Sequence, residues 1–364
     1  MAPHLVQQLS GPAARAFLAQ WWPRLYENDP DATNYQAPRW LSAWASRLPS
    51  TSTPVVLAVP DRTGQPTAAL ALVRDAVTGL RPLSAPVAEY IRPVGPGSET
   101  MAAAASLADA LLRLAQVEPV EVCDVPLTSA LGRALSEQPD WQYLTSPCAA
   151  IGLPLDLAAM SASTRREHRR RQRDFDRWAA TDGNTSCQRT QTTGELLAAY
   201  RVLAALHRRR WAGQPQLHSD VQHSPGEDPW PTVLEQLGSD EAFIATLTVR
   251  TDVVAAQLCL VRGSRAYSVL PAMDPDYRHL AVGHVLQFRL ASDLHDSGFT
   301  VLDLGRTASA TGQQKYKSQY TRAWTQTLTV TRTPDRRGVT HISGVLASPP
   351  EREPLPVAAV SGGL

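Results

Sequence analysis

The chain has 364 residues, 43% of them hydrophobic and 19% charged, and a formal net charge of +1 at pH 7. A chain of this length is expected to form about two domains and to bury a core without disulfides. No apolar run approaches the ~18 residues of a membrane-spanning helix, and the balanced charge gives no argument for a general affinity for polyanions. The first residues lack a cationic segment followed by an apolar core, so the sequence predicts a cytoplasmic protein without a secretion signal.

Metal and disulfide sites are not predicted. The four cysteines are Cys123, Cys148, Cys187 and Cys259. They are scattered without a C-x-x-C pair, so we predict that they are reduced and mostly buried. His218 and His223 lie in a stretch rich in Pro and Gly, without the H-E-x-x-H helix that would make them zinc ligands.

Both halves of the chain show the same order of elements. The first half contains a predicted helix at 38–48, a strand at 55–60, a turn at 61–64 and a strand at 67–73. The second half contains a predicted helix at 230–238, a strand at 243–249, a turn at 250–252 and a strand at 253–261. Short turns between apolar runs indicate antiparallel hairpins. A tandem duplication is therefore the economical interpretation.

Other segments complete this outline. An Ala/Leu-rich stretch at 100–118 predicts a helix, and Pro147–Leu157 is predicted as the link into the second half. Four tryptophans at helical spacing are predicted to lie in the core, namely Trp21, Trp22, Trp40 and Trp44.

The arginines form two clusters. The segment 165–178 carries seven arginines and is predicted to be a basic helix with Arg166, Arg170 and Arg177 near one face. A second cluster, Arg208–Arg210, follows an amphipathic run. Guanidinium groups match phosphate oxygens bidentately, so two clusters in a nearly neutral chain indicate a phosphate-bearing ligand. A solvated helix face is the alternative for either cluster.

Lysine is rare in this chain. Only two of the 35 basic residues are lysines, Lys315 and Lys317. A coding bias toward arginine explains most of the imbalance but not the closeness of the two exceptions. A lysine ammonium is a compact charge whose pKa can move, so a site that needs one resists replacement by arginine. We predict that the pair lies at a strand end, with both side chains on one face.

The most informative stretch follows the second hairpin. A third predicted strand at 266–274 leads through a loop into an amphipathic helix, and another strand follows at 301–306. The motif Arg278-x-x-Ala281-x-Gly283 spans the strand-to-helix junction. Small residues there let backbone N–H groups approach a pyrophosphate, and the start of the helix supplies a partial positive charge.

This motif resembles the acyl-CoA loop of the GNAT N-acetyltransferases. The order of five segments resembles the double-domain branch of that superfamily, which includes the FemABX peptidyltransferases and the CelD-like acetyltransferases. The segments are LHRRRW (206–211), VVAAQLCLV (253–261), AMDPDYRHLAVGHVL (272–286), DLGRT (303–307) and YKSQY (316–320). The family often has a Y-K-x-x-W-G ending, whereas here the tryptophan is displaced to Trp324.

The resemblance implies an α/β (α+β) fold of two tandem GNAT-like domains, each a mixed central sheet flanked by helices. Residues 1–155 would form a degenerate N-terminal domain, because they show no equivalent of the phosphate loop, and would build one wall of the acceptor cleft. Residues 156–333 would carry the acyl-donor site, and residues 334–364 would be a Pro/Gly-rich tail.

The implied activity is transfer of an acyl group from a CoA thioester to an amine of a small-molecule acceptor, of the secondary-metabolite or cell-envelope-precursor type. FemABX enzymes make the same kind of bond from an aminoacyl-tRNA, which is the first alternative. A catalytically inactive binding or scaffold protein is the second. None of the three readings calls for DNA, a metal or a membrane span.

The resemblance also implies binding residues. Those expected at the acyl donor are Arg278, Ala281, Val282, Gly283 and Arg306. Those expected to contact the acceptor or a phosphate group are Arg166, Arg170, His207, Arg210, Asp274, Tyr277 and Tyr316.

Three residues are expected to take part in the chemistry. Lys317 lies where the related families carry a lysine and is expected to face the oxyanion of the tetrahedral intermediate. His284 and Asp303 are candidates for the general base, with His207 as a further candidate and proton loss to water as the alternative.

Overall fold

The computed structural model describes residues 5–85, 87–182, 184–212, 228–307 and 311–334. His218, His223 and residues 335–364 of the predicted tail lie outside these ranges. Within them, twelve strands form one mixed sheet, which is flanked by ten α-helices.

The sheet runs through both halves of the chain. Its strands are β1 Gln7–Ser10, β2 Ser52–Pro60, β3 Pro66–Asp75, β4 Gly79–Pro82, β5 Val120–Pro126, β6 Gln142–Gly152, β7 Thr185–Arg189, β8 Ala242–Val249, β9 Asp252–Arg262, β10 Arg265–Met273, β11 Val301–Arg306 and β12 Trp324–Arg332. Their order across the sheet is β1-β2-β3-β4-β5-β12-β6-β11-β10-β9-β8-β7.

The helices lie in the connections between strands. They are α1 Pro12–Gln20, α2 Trp22–Glu27, α3 Pro38–Ser46, α4 Met101–Leu114, α5 Ala130–Ser136, α6 Ala162–Asp182, α7 Thr193–Trp211, α8 Trp230–Glu241, α9 Val282–Asp296 and α10 Thr311–Lys317. Local sequence explains some of their boundaries. A capping box starts α7, since Thr192 Oγ1 accepts the Glu195 N–H and the Glu195 carboxylate accepts the Thr192 N–H.

The sheet shows the same arrangement of strands when it is followed inward from either edge, through β1 to β5 from one edge and through β7 to β11 from the other. In the first half β4 is followed by the parallel strand β5, and in the second half β10 is followed by the parallel strand β11. The hairpins β2–β3 and β8–β9 take the second and third positions from opposite edges of the sheet. The predicted repeat is therefore confirmed in the topology, and the predicted α/β fold class is confirmed with it.

Each half places its last strand in the other half's part of the sheet. β12 pairs with β5, with Leu328 opposite Val125, and β6 pairs with β11, with Ile151 opposite Leu302. The two exchanged strands also pair with each other at the centre. The segment Pro147–Leu157, predicted as a link, is thus mostly strand. The division of the chain into two domains stays a prediction.

Aromatic packing joins equivalent helices of the two halves. Trp40 of α3 and Trp230 of α8 are buried, and their ring centroids are 5.9 Å apart. Trp22 is buried in the same core, while Trp21 and Trp44 are partly buried and pack against it. Truncating a buried aromatic residue to alanine costs about 3–5 kcal/mol. The predicted core role of the four tryptophans of the first half is confirmed.

All four cysteines are unpaired thiols, and all but Cys187 are buried. Burial raises the pKa of Cys148 and of Cys259 to about 12. Both therefore stay protonated at neutral pH, which makes them weak nucleophiles. The prediction of mostly buried cysteines is confirmed.

Candidate functional site

A gap opens between the two parallel strands of the second half. β10 and β11 pair only over their first three residues, ending at Tyr267 opposite Asp303. Beyond this point β10 stays paired with β9 as far as Met273, and β11 stays paired with β6 as far as Arg306. A bulge follows Ser268 in β10, and bulges bend the strand that carries them. We call this gap, bounded by the ends of β10 and β11, the wedge.

The predicted donor loop lies where β10 passes into α9, on the rim of the wedge. Asp274 caps a 3₁₀ turn over Pro275–Leu280, since its Oδ1 accepts the Asp276 N–H. Its Oδ2 accepts a hydrogen bond from the Arg209 guanidinium at 2.8 Å. Asp274, predicted as a ligand contact, is therefore used to shape the loop.

The junction with α9 offers backbone groups to a ligand. Ala281 has a left-handed backbone with φ 52° and precedes the first turn of the helix. The Val282 side chain is fully buried. A Cβ added at Gly283 would meet Met273 Sδ at 3.5 Å, an ordinary contact. The first N–H groups of a helix have no intrahelical acceptor, and the helix dipole adds positive charge, so this turn suits an anion.

Two arginines and a tyrosine lie near this loop. Arg278 is exposed in the 3₁₀ turn, whereas Arg210 at the end of α7 is partly buried. Burial lowers the pKa of Arg210, the nearby Tyr316 raises it, and Arg278 lowers it again. The Arg210 guanidinium also lies 5.0 Å from the Trp211 ring centroid. The structure thus brings together three of the predicted contact residues.

The two lysines lie in helix α10 and not in a strand, so their predicted shared face is wrong. Two positions along a helix differ by roughly 200°, which places Lys315 and Lys317 on opposite faces. Lys315 is exposed, whereas Lys317 Nζ donates to the carbonyls of Gly305 at 2.9 Å and Arg306 at 2.6 Å. Burial lowers the pKa of Lys317, and the nearby Glu89 raises it. Lys317 therefore holds the end of β11.

His284, a predicted base, lies in the first turn of α9 against two tyrosines. Its Nδ1 is hydrogen-bonded to the Tyr320 hydroxyl, and its ring centroid is 4.7 Å from that of Tyr316. Burial, followed by the charge of Arg171, lowers the pKa of His284 to about 3. A ring with this pKa is neutral at physiological pH and is a weak base there.

Asp303, the other predicted base, is buried within β11. Its carboxylate accepts the Tyr90 hydroxyl at 2.7 Å and the Gly305 N–H at 2.8 Å. It also accepts the Arg265 guanidinium at 3.0 Å. Burial raises the pKa of Asp303, and the hydrogen bond from Tyr90 opposes that rise. Because three donors already occupy this carboxylate, we interpret it as organising the end of β11.

Arg306, predicted at the donor, connects β11 to the first half. Its guanidinium donates to the buried Asp124 of β5 at 2.8 Å. Burial raises the pKa of Asp124, and the charge of Arg306 lowers it. The guanidinium of Arg306 is already engaged in this ion pair. Donor binding by Arg306 stays a prediction.

Glu89, which the sequence analysis did not single out, reaches the same strand end from the loop between β4 and α4. Its Oε2 accepts the Arg306 N–H at 3.0 Å. Gly305 has φ 67°, and a Cβ added there would collide with the Glu89 carboxylate. Burial raises the pKa of Glu89 to about 7, against the lowering effect of Lys317. A carboxylate of the first half thus lies directly on the backbone of β11.

The basic helix α6 presents most of its arginines to solvent. Arg166 and Arg170 are exposed, and Arg170 pairs with Glu167 at 2.8 Å. Arg171, which the sequence analysis did not select, donates to Gln319 Oε1 at 2.7 Å, just beyond α10. Arg171 therefore faces the rest of the fold.

The two remaining predicted contacts are packed against tryptophans. Tyr277 lies edge-on to Trp178, with ring centroids 5.9 Å apart. His207 is 4% exposed within α7, and its ring lies 6.4 Å from that of Trp211. Packing accounts for both side chains, and their predicted contact with a ligand stays a prediction.

Glu89, which the sequence analysis missed, carries no local motif. Glu89 and Arg306 are 217 positions apart, and Glu89 stands alone in a stretch rich in Ala and Pro. The one available signal is Gly305, since a glycine inside a strand often marks a close approach of another group to the backbone.

The comparisons with known proteins agree with this fold. Residues 162–318 match the family model described as an acetyltransferase (GNAT) domain. The matched range includes the donor loop, β11 and Lys317. The resemblance to the GNAT N-acetyltransferases inferred from the sequence is therefore confirmed over the matched range, which is less than half of the chain.

Solved structures share the fold over most of the chain at low identity. FemX is 12% identical with a TM-score of 0.56, over 89% of this chain and 96% of that one. The C-terminal domain of a putative lysylphosphatidylglycerol synthetase from Agrobacterium fabrum is 11% identical with a TM-score of 0.55, over 88% and 92%. A tandem GNAT protein from the clavulanic acid biosynthesis pathway is 10% identical with a TM-score of 0.50, over 90% and 98%. These likenesses concern the fold.

No curated protein matches the sequence. In the part of the chain that the structure describes, no helix has both the length and the apolar character to cross a membrane. The cytoplasmic location stays a prediction.

Proposed function

We propose that the protein transfers an acyl group from a CoA thioester to an amine of a small molecule. The GNAT domain supports acyl transfer as the class of reaction. The observation that carries the choice of donor is the wedge between β10 and β11, with the first turn of α9 on its rim.

The wedge suits both parts of a CoA molecule. Where β10 has separated from β11, its backbone groups can pair with an extended chain that carries amides, as in strand addition. The pantetheine arm is such a chain. The pyrophosphate would then lie at the first turn of α9, where free N–H groups favour an anion. Arg278 and Arg210 add positive charge at the same loop.

The loop before α4, which corresponds to the donor loop before α9, is occupied by the protein's own side chains. Glu99 Oε2 accepts the Ala130 N–H at 2.8 Å, at the start of α5. Glu99 Oε1 pairs with Arg92 at 2.8 Å, and Arg92 also pairs with the buried Asp29. An internal carboxylate in this place supports a single donor site in the second half.

An aminoacyl-tRNA donor is the second candidate, because α6 exposes a row of cations. They are Arg166, Arg169, Arg170, Arg173 and Arg177. Binding of RNA weakens steeply with salt in proportion to the phosphates neutralised, whereas binding of one CoA changes little. Native mass spectrometry of the purified protein for bound CoA or tRNA, with salt titrations of both, separates the two. Failure to form amide with either donor would favour an inactive binding protein.

Arg278→Ala is expected to raise the Kd for acetyl-CoA by roughly 10- to 150-fold, since a charge-assisted hydrogen bond contributes about 1.5–3 kcal/mol. Gly283→Val is expected to weaken binding as well, because a branched side chain keeps the pyrophosphate from the backbone. A Cβ at this position makes only an ordinary contact with Met273, so the melting temperature should stay near that of the wild type. Isothermal titration calorimetry measures both affinities.

Gly194→Val is the matched control for the glycine variant. Gly194 is also the second residue of a helix, α7, and has open space around it. Its replacement should leave acetyl-CoA affinity unchanged. The donor-loop assignment is wrong if Arg278→Ala and Gly283→Val bind as tightly as this control.

A further inference from the structure

Glu89 and Lys317 hold the same turn of backbone from two different parts of the fold. Glu89 Oε2 accepts the Arg306 N–H, and Lys317 donates to the carbonyls of Gly305 and Arg306. Within the described ranges Glu89 Oε1 has no hydrogen-bond partner, and the side chain keeps part of its surface exposed. One carboxylate oxygen is therefore left for a ligand at the end of β11.

We propose that Glu89 accepts the proton of the acceptor amine, so that the first half supplies the base and the second half binds the acyl donor. The inference rests on the proposed acyl transfer. β11 forms one side of the wedge, and its last residues touch Glu89. An amine that reaches a thioester held in the wedge would pass this carboxylate.

The charges around Glu89 suit a base that works near neutral pH. Lys317 of α10 favours its carboxylate form, whereas Asp303 of β11 and Asp124 of β5 disfavour it. Burial is the largest influence and raises the pKa of Glu89 to about 7. The other titratable or charged groups facing it are Arg306, Tyr35, Tyr90 and Cys148. A pKa close to the working pH balances availability of the base with its strength.

The proton and bond changes balance without any further reactant. The amine enters as an ammonium, and the Glu89 carboxylate takes one proton to become a carboxyl group. The freed nitrogen pair attacks the thioester carbon and forms the C–N bond. Collapse of the tetrahedral intermediate breaks the C–S bond, and the thiolate takes the second nitrogen proton to leave as the CoA thiol. Glu89 then returns its proton to water.

Other candidates for the base are less suited. His284 has a pKa of about 3 and is hydrogen-bonded to Tyr320. Asp303 already accepts three hydrogen bonds. Asp124 is committed to its ion pair with Arg306.

Glu89→Gln tests the proposal, because glutamine still accepts the Arg306 N–H but takes no proton. With acetyl-CoA and ethylamine, we expect kcat/KM for the amine to fall about 10²–10⁴-fold, with an unchanged Kd for acetyl-CoA. The wild-type rate should decline as the pH falls through about 7 and the carboxylate becomes protonated. The variant should lack this decline. Methoxyamine, which is mostly unprotonated at neutral pH, should react at similar rates with both proteins.

Glu99→Gln is the matched control, since Glu99 also accepts a backbone N–H, at 2.8 Å, and its rates should equal those of the wild type. Unchanged ethylamine rates and an unchanged pH profile in Glu89→Gln would overturn the proposal and leave acyl transfer standing. Equal losses with both amines would make Glu89 a structural residue, which also overturns it. If Glu89→Gln does not fold, Glu89→Asp must keep the acidic decline with a reduced rate. A wild type that acylates neither amine contradicts the proposed function itself.

Discussion

Lys317→Met is expected to lower kcat by about 10²–10³-fold and to leave the donor Kd nearly unchanged. An ammonium has three N–H donors, and two of them bind the carbonyls of Gly305 and Arg306. The third is left for the oxyanion of the tetrahedral intermediate, and loss of one such donor costs about 2.7–4 kcal/mol. Losing an interaction that is made in the transition state alone lowers kcat and leaves donor binding unchanged. Steady-state kinetics and an acetyl-CoA titration measure the two quantities.

Two other lysine variants make this test specific. Lys317→Arg should restore little activity, because a planar guanidinium does not replace a point charge at the same distance. Lys315→Met should be nearly silent, since Lys315 is exposed on the opposite face of α10. Near-normal turnover of Lys317→Met, or a defect confined to donor binding, would contradict the assigned role.

Elements with a local signal could be predicted from the sequence. β11 has the predicted bounds, Val301–Arg306, and the hairpins β2–β3 and β8–β9 lie where alternating apolar runs and short turns placed them. The exchange of β6 and β12 between the halves has no local signal, because the partner of each strand is set by contacts between distant parts of the chain.

Helix α10 is a short polar segment whose secondary structure was wrongly predicted from the sequence. Residues 311–317, TGQQKYK, contain one aromatic residue and no apolar period, so periodicity gives no information about them. The resulting error reversed the relation between Lys315 and Lys317, since strand neighbours two apart share a face and helix neighbours two apart do not.

The proposed donor side of the site has a local signal in the sequence, whereas the proposed acceptor side has none. The motif from Arg278 to Gly283 is contiguous, and the structure places it at a helix start beside the wedge. Glu89 and Asp124 meet β11 through the fold alone. The role expected of Arg306 illustrates the difficulty, because a sequence does not show that a buried carboxylate, Asp124, pairs with this guanidinium.

Asp303→Ala is expected to lower the free energy of unfolding by about 2–5 kcal/mol. The variant leaves two buried donors unpaired, the Tyr90 hydroxyl and the Gly305 N–H, at about 1–3 kcal/mol each. The Arg265 side chain is 43% exposed, so water solvates it when its partner is lost. Urea denaturation measures the difference.

Asp303→Asn and Asp140→Ala show which property of Asp303 matters. Asparagine keeps an acceptor for Tyr90 and Gly305, so the asparagine variant should lose less than half as much stability as the alanine variant. Asp140 is the 59%-exposed partner of Arg332. Its replacement by alanine should lower the free energy of unfolding by less than about 1 kcal/mol. If Asp303→Ala keeps wild-type stability but loses turnover, Asp303 is a catalytic residue, as the sequence suggested. If Asp303→Ala instead loses stability and Asp303→Asn recovers turnover, Asp303 is the residue that holds the end of β11 in place for Lys317.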